Sequence, residues 1–353
     1  MARLDERDAP PGPIVVRDVE SRLRVGFDLD GSLESLGNSM VDLADALVAL
    51  GDCDLVRYHS LTPARRHEEN RIALRRLWSP LWRQSRGRAI DRLLPMVNVV
   101  HVAGLATPPT KRVPLIISLD DLRPLRHESR TRQRVAQLRR AVNQGATLAT
   151  SSTTAGHEVQ SVLDVPRSRV VVVAPAVPKV TTTHDGDDLV VNVTGRTERF
   201  LALAPALVRF TQDRGARLVA LTSRDAGQRI RSGAPAVSVR SRDEARVALT
   251  QARVVVHLSD GARFPSFAMA ALSAGVPTVA RATASNRELL AGAAALTASD
   301  DEIMHALEIA WDNDARRAIM IAAGVARSSD YSPETAARAY SALYHDVVRG
   351  WAS

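Results

Sequence analysis

The stretch Asp260–Arg281, DGARFPSFAMAALSAGVPTVAR, places a polar loop, a helix and a strand in close succession. Small and apolar residues fill Ser266–Ala274, which predicts a buried helix. A turn at Gly275–Pro277 ends that helix, and Thr278–Ala280 predicts the strand that follows. This order of elements is the repeating unit of a parallel α/β fold.

The same alternation of short β-branched runs and longer helical patterns continues in both directions along the chain. It forms two series, and Pro175–Asp188 between them has prolines, threonines and charges without periodicity, which favours a linker. We therefore predict two Rossmann-like domains whose parallel sheets face a cleft, and a C-terminal helix that crosses back to the first domain. The predicted division into disordered tail, first domain, linker, second domain and final helix is 1–21, 22–176, 177–188, 189–332 and 333–353.

The predicted strands are short β-branched or apolar runs. They are Leu23–Leu29, Leu55–Tyr58, Val97–Val102, Leu115–Leu119, Thr147–Thr150, Val170–Val173, Leu189–Val193, Arg217–Leu221, Val237–Val239, Val254–His257 and Thr278–Ala280. The predicted helices have apolar residues at helical spacing. The first predicted helix follows the loop Asp30–Gly37 and ends at about Leu50. The others span Thr131–Asn143, Thr153–Leu163, Leu201–Gln212, Asp243–Thr250, Ser266–Ala274, Asp300–Trp311, Asp314–Ser328 and Pro333–Val348.

The composition is that of a globular protein with two domains. The chain has 353 residues, of which 45% are hydrophobic and 24% are charged. No apolar run is long enough for a membrane helix, and the N-terminus has no signal-peptide core, so we expect a soluble cytoplasmic protein. The one cysteine, Cys53, excludes an internal disulfide, and no Cys/His cluster with zinc-ligand spacing predicts a structural metal.

The net charge is +8, and arginine supplies nearly all of the positive residues, because Lys111 and Lys179 are the only lysines. Between Arg57 and Arg140 basic residues greatly outnumber acidic ones, which suits phosphates, nucleic acid or an anionic membrane face. A solvated arginine-rich surface is the alternative. Aromatic residues make up only 4% of the chain, so stacking platforms are scarce and we expect no nucleic-acid partner.

The motif order resembles the family-four retaining glycosyltransferases, which have the GT-B fold and use nucleotide-sugar donors. In that family a strand ends in a polar residue, a Glu-Gly-Phe-Gly loop follows, and a helix that carries a second glutamate leads to Gly-x-Pro. Here Leu258-Ser259, Phe264 and Gly275–Pro277 hold those positions. Ala262 and Ala270 stand at the positions of the two glutamates.

The resemblance implies that the loop glutamate lies close to the sugar and that the helix glutamate accepts hydrogen bonds from the ribose. Alanine accepts no hydrogen bond, and an unpaired buried hydroxyl costs about 1–3 kcal/mol. The donor should therefore bind more weakly unless Asp260 or a neighbour substitutes. On this basis we assign Asp260, Phe264, Pro265 and Ser266 to the donor site.

Glu288, in the segment Asn286–Leu296, stands where the family has an acidic residue after a small polar loop. The resemblance implies that this carboxylate contacts the donor. The alternative is a carboxylate that complements the dipole at a helix N-terminus.

Gly195, Arg196 and Arg199 resemble the glycine, arginine and lysine that follow the first strand of the family's second domain. The resemblance implies that these cations hold the donor diphosphate and offset the charge that develops as it leaves. Arg196 fits the family position, whereas Arg199 stands in for the lysine in a shorter loop. Its planar guanidinium is not equivalent to an ammonium. Two solvated loop arginines are the alternative.

In the first domain, Ser35–Ser39 resembles the glycine-rich turn that approaches the donor phosphate before a helix begins. Gly37 and Asn38 are the implied contacts, because backbone NH groups at a helix N-terminus favour anions. A glycine at a strand-to-helix turn also occurs without any ligand.

The segment Val113–His127 resembles a family strand that ends in His-Asp and places the histidine on the acceptor side. Asp121 is retained, and Asp120 stands at the histidine position. An aspartate with its ordinary pKa is ionised at neutral pH and cannot do the acid–base work of a histidine. We assign catalysis to Asp120, Asp121 and Arg196, although adjacent carboxylates can also cap a strand end. His101 ends another strand and is the acceptor-side candidate, with a core-edge histidine as the alternative.

The resemblance implies a transferase that needs neither metal nor cofactor and moves a hexose from a nucleotide sugar to a hydroxyl acceptor, glycan or lipid-linked, with retention. Because both glutamates, the histidine and the lysine are replaced, the alternative is a GT-B protein without catalysis that serves as a partner or regulatory subunit in glycan or glycolipid assembly. The arginines of Arg65–Arg92 suit peripheral contact with an anionic membrane or a polyanionic acceptor.

Overall fold

The structure is a computed structural model, and it describes residues 22–29, 33–34, 37–59, 70–71, 81–82, 87–94, 96–104, 107–119, 122, 125, 131–181, 186–193, 195–258 and 263–352. The predicted tail at 1–21 and most of Arg65–Arg92 lie outside these residues. So do three predicted site residues, Asp120, Asp121 and Asp260.

The first domain is built on a seven-stranded parallel sheet with the order β5-β4-β1-β6-β7-β8-β9. Its strands are β1 (Leu23–Asp28), β4 (Cys53–His59), β5 (Asn70–Arg71), β6 (Val99–Ala103), β7 (Leu115–Leu119), β8 (Thr147–Thr150) and β9 (Val170–Val172). A small antiparallel hairpin, β2 (Leu33–Glu34) and β3 (Gly37–Asn38), follows β1. The helices are α1 (Ser39–Leu50), α2 (Thr131–Asn143) and α3 (Thr153–Leu163).

The second domain is built on a six-stranded parallel sheet with the order β12-β11-β10-β13-β14-β15. Its strands are β10 (Asp188–Asn192), β11 (Arg217–Thr222), β12 (Ser238–Ser241), β13 (Ala252–His257), β14 (Thr278–Arg281) and β15 (Ala295–Thr297). Its helices are α4 (Thr197–Gln212), α5 (Arg224–Gly233), α6 (Ala245–Thr250), α7 (Ser266–Ser273), α8 (Ala284–Leu289), α9 (Asp300–Asp312) and α10 (Asp314–Ser329).

Both sheets are covered by helices on both faces, which explains why their central strands are buried at every residue. All five residues of β7 are buried, and so are all five of β10. Parallel strands read as continuous apolar runs when both faces are covered. The predicted two-domain α/β architecture with parallel sheets is therefore confirmed.

The last helix, α11 (Pro333–Ala352), leaves the second domain and packs on the first, as the sequence predicts. Its apolar face is buried against α1 and the adjoining face of the first sheet. The helix residues in this core are Ala336, Ala337, Tyr340, Leu343 and Tyr344, and the α1 residues are Met40, Leu43, Ala44 and Leu47.

Two helices of the second domain do not appear among the predicted ones. Helix α5 is rich in arginine and buries only Gly227 and Ile230, so it has no apolar stripe to detect. Helix α8 has only six residues, too few for a helical period to show. Helix α4 also begins before the predicted Leu201, because Thr197 and Phe200 are already buried in its first turn.

Candidate functional site

The candidate site lies at the carboxyl edge of the second sheet. The strand order of that sheet reverses between β10 and β13, where the chain leaves the two neighbouring strands in opposite directions. In open α/β sheets, ligands bind in the crevice that such a reversal creates beyond the carboxyl ends of the strands. The loop after β10 and the loop after β13 therefore border the place where a ligand is expected.

The loop after β10 turns sharply at Gly195 and leads into α4. Gly195 has φ +71°, a left-handed conformation that favours glycine, and nothing lies within 4 Å of where its Cβ would be. The Arg196 amide donates to the Val193 carbonyl at 2.9 Å, and the Phe200 amide donates to the Arg196 carbonyl at 2.9 Å. The turn thus sets Arg196, whose side chain is exposed, at the N-terminus of a 16-residue helix.

Three arginines lie near this helix N-terminus, and two of them, Arg199 and Arg281, approach the same aspartate. Arg199, in the first turn of α4, forms a short salt bridge with Asp300, the first residue of α9. Arg281, the last residue of β14, places its Nη1 3.9 Å from the same carboxylate oxygen of Asp300. Arg196 and Arg199 both lie close enough to Arg281 to affect its titration. We call Arg196, Arg199 and Arg281 the arginine cluster.

The surroundings of Arg281 within the arginine cluster disfavour its positive charge. Burial lowers the pKa of Arg281, and the nearby charges of Arg199 and Arg196 lower it further, while Asp300 and Glu302 oppose the fall. Arg281 Nη1 and Arg199 Nε are buried and donate no hydrogen bond among the described residues. Such an arrangement favours an anion, because a bound anion would supply the missing hydrogen bonds and charge.

The loop after β13 enters α7 through Phe264 and Pro265, which are both buried. Phe264 packs against Tyr331, with ring centroids 5.7 Å apart. Ser266 opens α7 and is half-buried. These three predicted donor-site residues therefore lie together beside the sheet reversal, and the Phe264 side chain is part of the apolar core.

Ala270, at the position of the family's helix glutamate, has 0% of its surface exposed. It belongs to an apolar core that includes Val177, Val180 and Tyr331. An ionised carboxylate in such surroundings would be strongly destabilised. Val177 and Val180 come from the predicted linker, so this part of the linker packs against the second domain.

Glu288 connects the two domains. Its carboxylate accepts hydrogen bonds from the Thr153 amide at 2.6 Å, the Thr154 amide at 2.8 Å and the Thr154 hydroxyl at 2.6 Å. These donors belong to the first turn of α3 in the first domain, so Glu288 complements the positive end of that helix. The Arg327 guanidinium donates a hydrogen bond to the backbone carbonyl of Glu288 at 2.9 Å and so helps to fix the position of this residue. We call the contact between Glu288 and the first turn of α3 the interdomain clasp.

The electrostatics of the clasp favour the ionised carboxylate. Burial alone would raise the pKa of Glu288, but the hydrogen bonds from Thr154 and Thr153 outweigh burial and hold the pKa below its usual value.

A second carboxylate, Asp42 of α1, lies near Arg246 of α6, on the other domain. Burial raises the pKa of Asp42, and the charge of Arg246 partly opposes that rise.

His101 lies in the core of the first domain, with 0% of its surface exposed. Its Nδ1 is 2.8 Å from the hydroxyl of Tyr344, and its Nε2 is 2.7 Å from the hydroxyl of Ser118, which is 2.7 Å from the hydroxyl of Tyr340. Burial lowers the pKa of His101 to about 3, so the ring is neutral at physiological pH. The histidine predicted on the acceptor side is thus enclosed beneath α11, where it fastens that helix to the first sheet.

The remaining predicted site residues are only partly described. Gly37 and Asn38 form the backbone of β3, directly before α1 begins at Ser39, so the predicted turn does open a helix. Asp120, Asp121 and Asp260 lie outside the described residues. Within the described part of the chain, no group of three His, Cys, Asp or Glu side chains could hold a metal ion.

Sequence reasoning did not identify Arg281, Asp300 or the threonines of the clasp, Thr153 and Thr154. Arg281 could have been found from its place at the end of the strand that follows Gly275–Pro277, at the same sheet edge as Arg196. No local pattern could have found the threonines, because their contact with Glu288 joins residues far apart in the chain and depends on how the two domains pack.

Comparison with solved structures places the fold among known ones. The lipopolysaccharide glycosyltransferase WaaG superimposes with a TM-score of 0.67 at 13% identity, covering 92% of this chain and 99% of that one. Sucrose-phosphate synthase from Thermosynechococcus elongatus gives a TM-score of 0.67 at 11% identity, covering 93% of this chain and 100% of the synthase. Anabaena HepE in complex with UDP and glucose superimposes with a TM-score of 0.65 at 14% identity, covering 92% of this chain and 100% of HepE.

No protein-family model and no curated protein sequence matches this chain. The structural neighbours are GT-B glycosyltransferases, and the likeness extends over almost the whole length of each of these three. The fold of this chain is therefore GT-B. None of the described helices combines the length and apolar character needed to cross a membrane.

Proposed function

We propose that this protein is a glycosyltransferase of the family-four kind, which moves a hexose from a nucleotide sugar to a hydroxyl acceptor with retention and without a metal or other cofactor. The observation that carries the proposal is the arginine cluster at the N-terminus of α4, beside the reversal of the second sheet. The structural neighbour HepE holds UDP and glucose, which supports a nucleotide sugar as the donor.

In this proposal, Arg196, Arg199 and the first turn of α4 hold the diphosphate of the donor. Free backbone NH groups and the positive end of the helix dipole favour an anion there. The guanidinium groups stabilise the negative charge that grows on the diphosphate as its bond to the sugar breaks. Gly195 leaves its side of the turn open, so a phosphate oxygen could approach the backbone closely.

The other roles in the proposal follow the resemblance. Phe264, Pro265 and Ser266, together with Asp260, form the wall of the donor site next to α7. Gly37 and Asn38 approach the diphosphate from the first domain. Asp120 and Asp121, which follow β7 in the sequence, act on the acceptor side.

A second candidate function is that of a GT-B protein without catalysis, acting as a partner or regulatory subunit in glycan or glycolipid assembly. Two observations favour it. The position of the helix glutamate is a fully buried alanine, Ala270, and the carboxylate of Glu288 is already engaged in the interdomain clasp. Neither residue offers a free carboxylate to a ribose, so the donor would lose hydrogen bonds that each contribute about 0.5–1.5 kcal/mol.

The proposal places the protein in the cytoplasm, with peripheral contact between the arginines of Arg65–Arg92 and an anionic membrane that carries a lipid-linked acceptor. The support for this contact is the excess of positive charge in that part of the sequence. Binding to acidic vesicles should weaken steeply as salt increases, and binding that persists unchanged at high salt would contradict an electrostatic contact.

The experiment that separates the two candidate functions is a donor panel with the full chain. Nucleotide sugars of several bases are incubated with the protein, and release of the nucleoside diphosphate is measured. The proposed transferase should release it from one donor class, slowly without an acceptor and faster with one. Binding of a nucleoside diphosphate without any release would favour the non-catalytic protein, and the absence of both would contradict the proposed donor.

A further inference from the structure

The family resemblance does not assign Arg281 to the donor site. Its side chain nevertheless approaches Asp300, the same aspartate that Arg199 contacts. Side chains alternate between the two faces of a strand. Val279 of β14 packs into the core beneath α4 and α9, whereas Ala280 packs into the core on the opposite face with α7. Arg281 therefore lies on the face of α4 and α9, in agreement with its approach to Asp300.

The position of Arg281 is bounded by two helix N-termini. Helix α4 begins at Thr197, next to Arg196, and helix α9 begins at Asp300, which Arg199 contacts. Both helices direct their positive ends toward the arginine cluster. The cluster thus combines three guanidinium groups with two helix termini, and Asp300 is the carboxylate with which Arg199 and Arg281 pair in the described residues.

We infer that Arg281 is a third guanidinium ligand of the donor diphosphate and supplies the positive charge that the missing lysine would otherwise provide. The inference rests on the proposed function, because it assigns Arg281 to the same donor site. Arg199 has lost part of its freedom to act as that cation, since Asp300 holds it in a short salt bridge. Arg281 lies farther from Asp300, and its buried Nη1 makes no hydrogen bond within the part of the chain that the structure describes.

The chemistry of this position fits a diphosphate. Two neighbouring guanidinium groups present several donors in fixed planes, which match the oxygens of adjacent phosphates. Arg281 Nη1 is buried, but 24% of the side chain as a whole is exposed, so an anion can approach the exposed part of this side chain. The proximity of Arg196 and Arg199 to Arg281 is unfavourable without a ligand, and a bound dianion would relieve that repulsion.

The test is a titration of the full chain with pyrophosphate and, separately, with UDP, GDP and ADP. Four variants are compared: Arg281→Met, Arg281→Lys, Arg196→Met and the control Arg349→Met, which removes an exposed guanidinium on α11. We expect Arg281→Met to bind pyrophosphate about tenfold more weakly at low salt, with a smaller difference at about 0.5 M salt because screening weakens the contact. Arg281→Lys should recover part of the affinity, and Arg349→Met should match the wild type.

Circular dichroism and thermal denaturation check that Arg281→Met is folded, and the salt dependence separates a charge effect from a packing effect. If Arg196→Met loses binding while Arg281→Met binds as well as the wild type, the inference is overturned and the proposed donor site stands. If Arg281→Met weakens pyrophosphate binding but no nucleoside diphosphate binds, the inferred anion ligand stands and the proposed function fails. Absence of all anion binding to the wild type would overturn both.

Discussion

The interdomain clasp should weaken when Glu288 is replaced by glutamine. Replacing Glu288 by glutamine removes the charge and leaves one carbonyl oxygen for the three donors that the carboxylate now satisfies. A hydrogen bond to a charged group contributes about 1.5–3 kcal/mol and a neutral one about 0.5–1.5 kcal/mol, while the helix dipole adds about 0.3–1 kcal/mol. Because Glu288 is half-exposed, solvent reduces these figures, and we expect a loss of about 1–2 kcal/mol.

The assay for Glu288→Gln is hydrogen exchange at the first turn of α3. The Thr153 and Thr154 amides donate to the carboxylate, so they exchange only when the clasp opens. A loss of about 1–2 kcal/mol corresponds to exchange roughly 5- to 30-fold faster. Amides in the middle of β7 should be unaffected, because they are protected by the sheet. The control is Glu308→Gln, an exposed carboxylate on α9 that only weakly approaches His305.

The same assay tests the charge of Glu288. The pKa of Glu288 in the folded protein is held below its usual value of 4.5, so its stabilisation is present above that value and is lost as the pH falls through the lowered pKa. The difference between the wild type and Glu288→Gln should therefore shrink in acid. If the Thr153 and Thr154 amides exchange equally fast in both proteins at neutral pH, the carboxylate does not hold the two domains together.

Four further predictions concern the arginine cluster and the core. Asp300→Asn removes a negative charge close to two arginines, so pyrophosphate should bind roughly 2- to 5-fold more tightly in calorimetry, and weaker binding would show that Asp300 is needed to position Arg199. Gly195→Ala places a side chain at φ +71°, which costs about 1–2 kcal/mol and should lower the melting temperature. Tyr344→Phe leaves a buried ring nitrogen of His101 without its hydroxyl partner, which should cost about 1–3 kcal/mol in urea denaturation. Burial lowers the pKa of His101 from 6.5 to about 3, so between these pH values the unfolded chain binds a proton that the folded chain does not. The stability of the wild type should therefore fall as the pH drops below about 6.5. His101→Phe should lack this component of the pH dependence.

The architecture could be predicted from the sequence because its signals are local. Buried parallel strands such as β7 and β10 consist mainly of apolar residues, and the helices between them have apolar residues at helical spacing. The same reasoning identified the final helix, whose apolar face covers α1. It missed α5, where arginines replace the apolar stripe that the method needs.

The candidate site could be predicted only where its residues follow a strand directly. Gly195 and Arg196 were predicted from their resemblance to family residues that follow a strand, and the structure sets them at the turn after β10, where α4 begins. Glu288 was found as an acidic residue, but its partner is the first turn of α3, which depends on the packing of two domains. His101 shows the same limit, because a histidine at the end of a strand has no local mark that distinguishes a cleft from a core covered by a distant helix.

The most direct test of the proposed donor site is calorimetric titration of the full chain with UDP, GDP and ADP, repeated with Arg196→Ala and with the surface variant Arg349→Ala. Arg196 is exposed at the N-terminus of α4, and losing a guanidinium contact to a phosphate costs about 1.5–3 kcal/mol. We predict saturable binding of at least one nucleoside diphosphate, roughly 10- to 100-fold weaker in Arg196→Ala and unchanged in Arg349→Ala. Absence of binding at millimolar concentration, or equal binding by Arg196→Ala and the wild type, would contradict the proposed site.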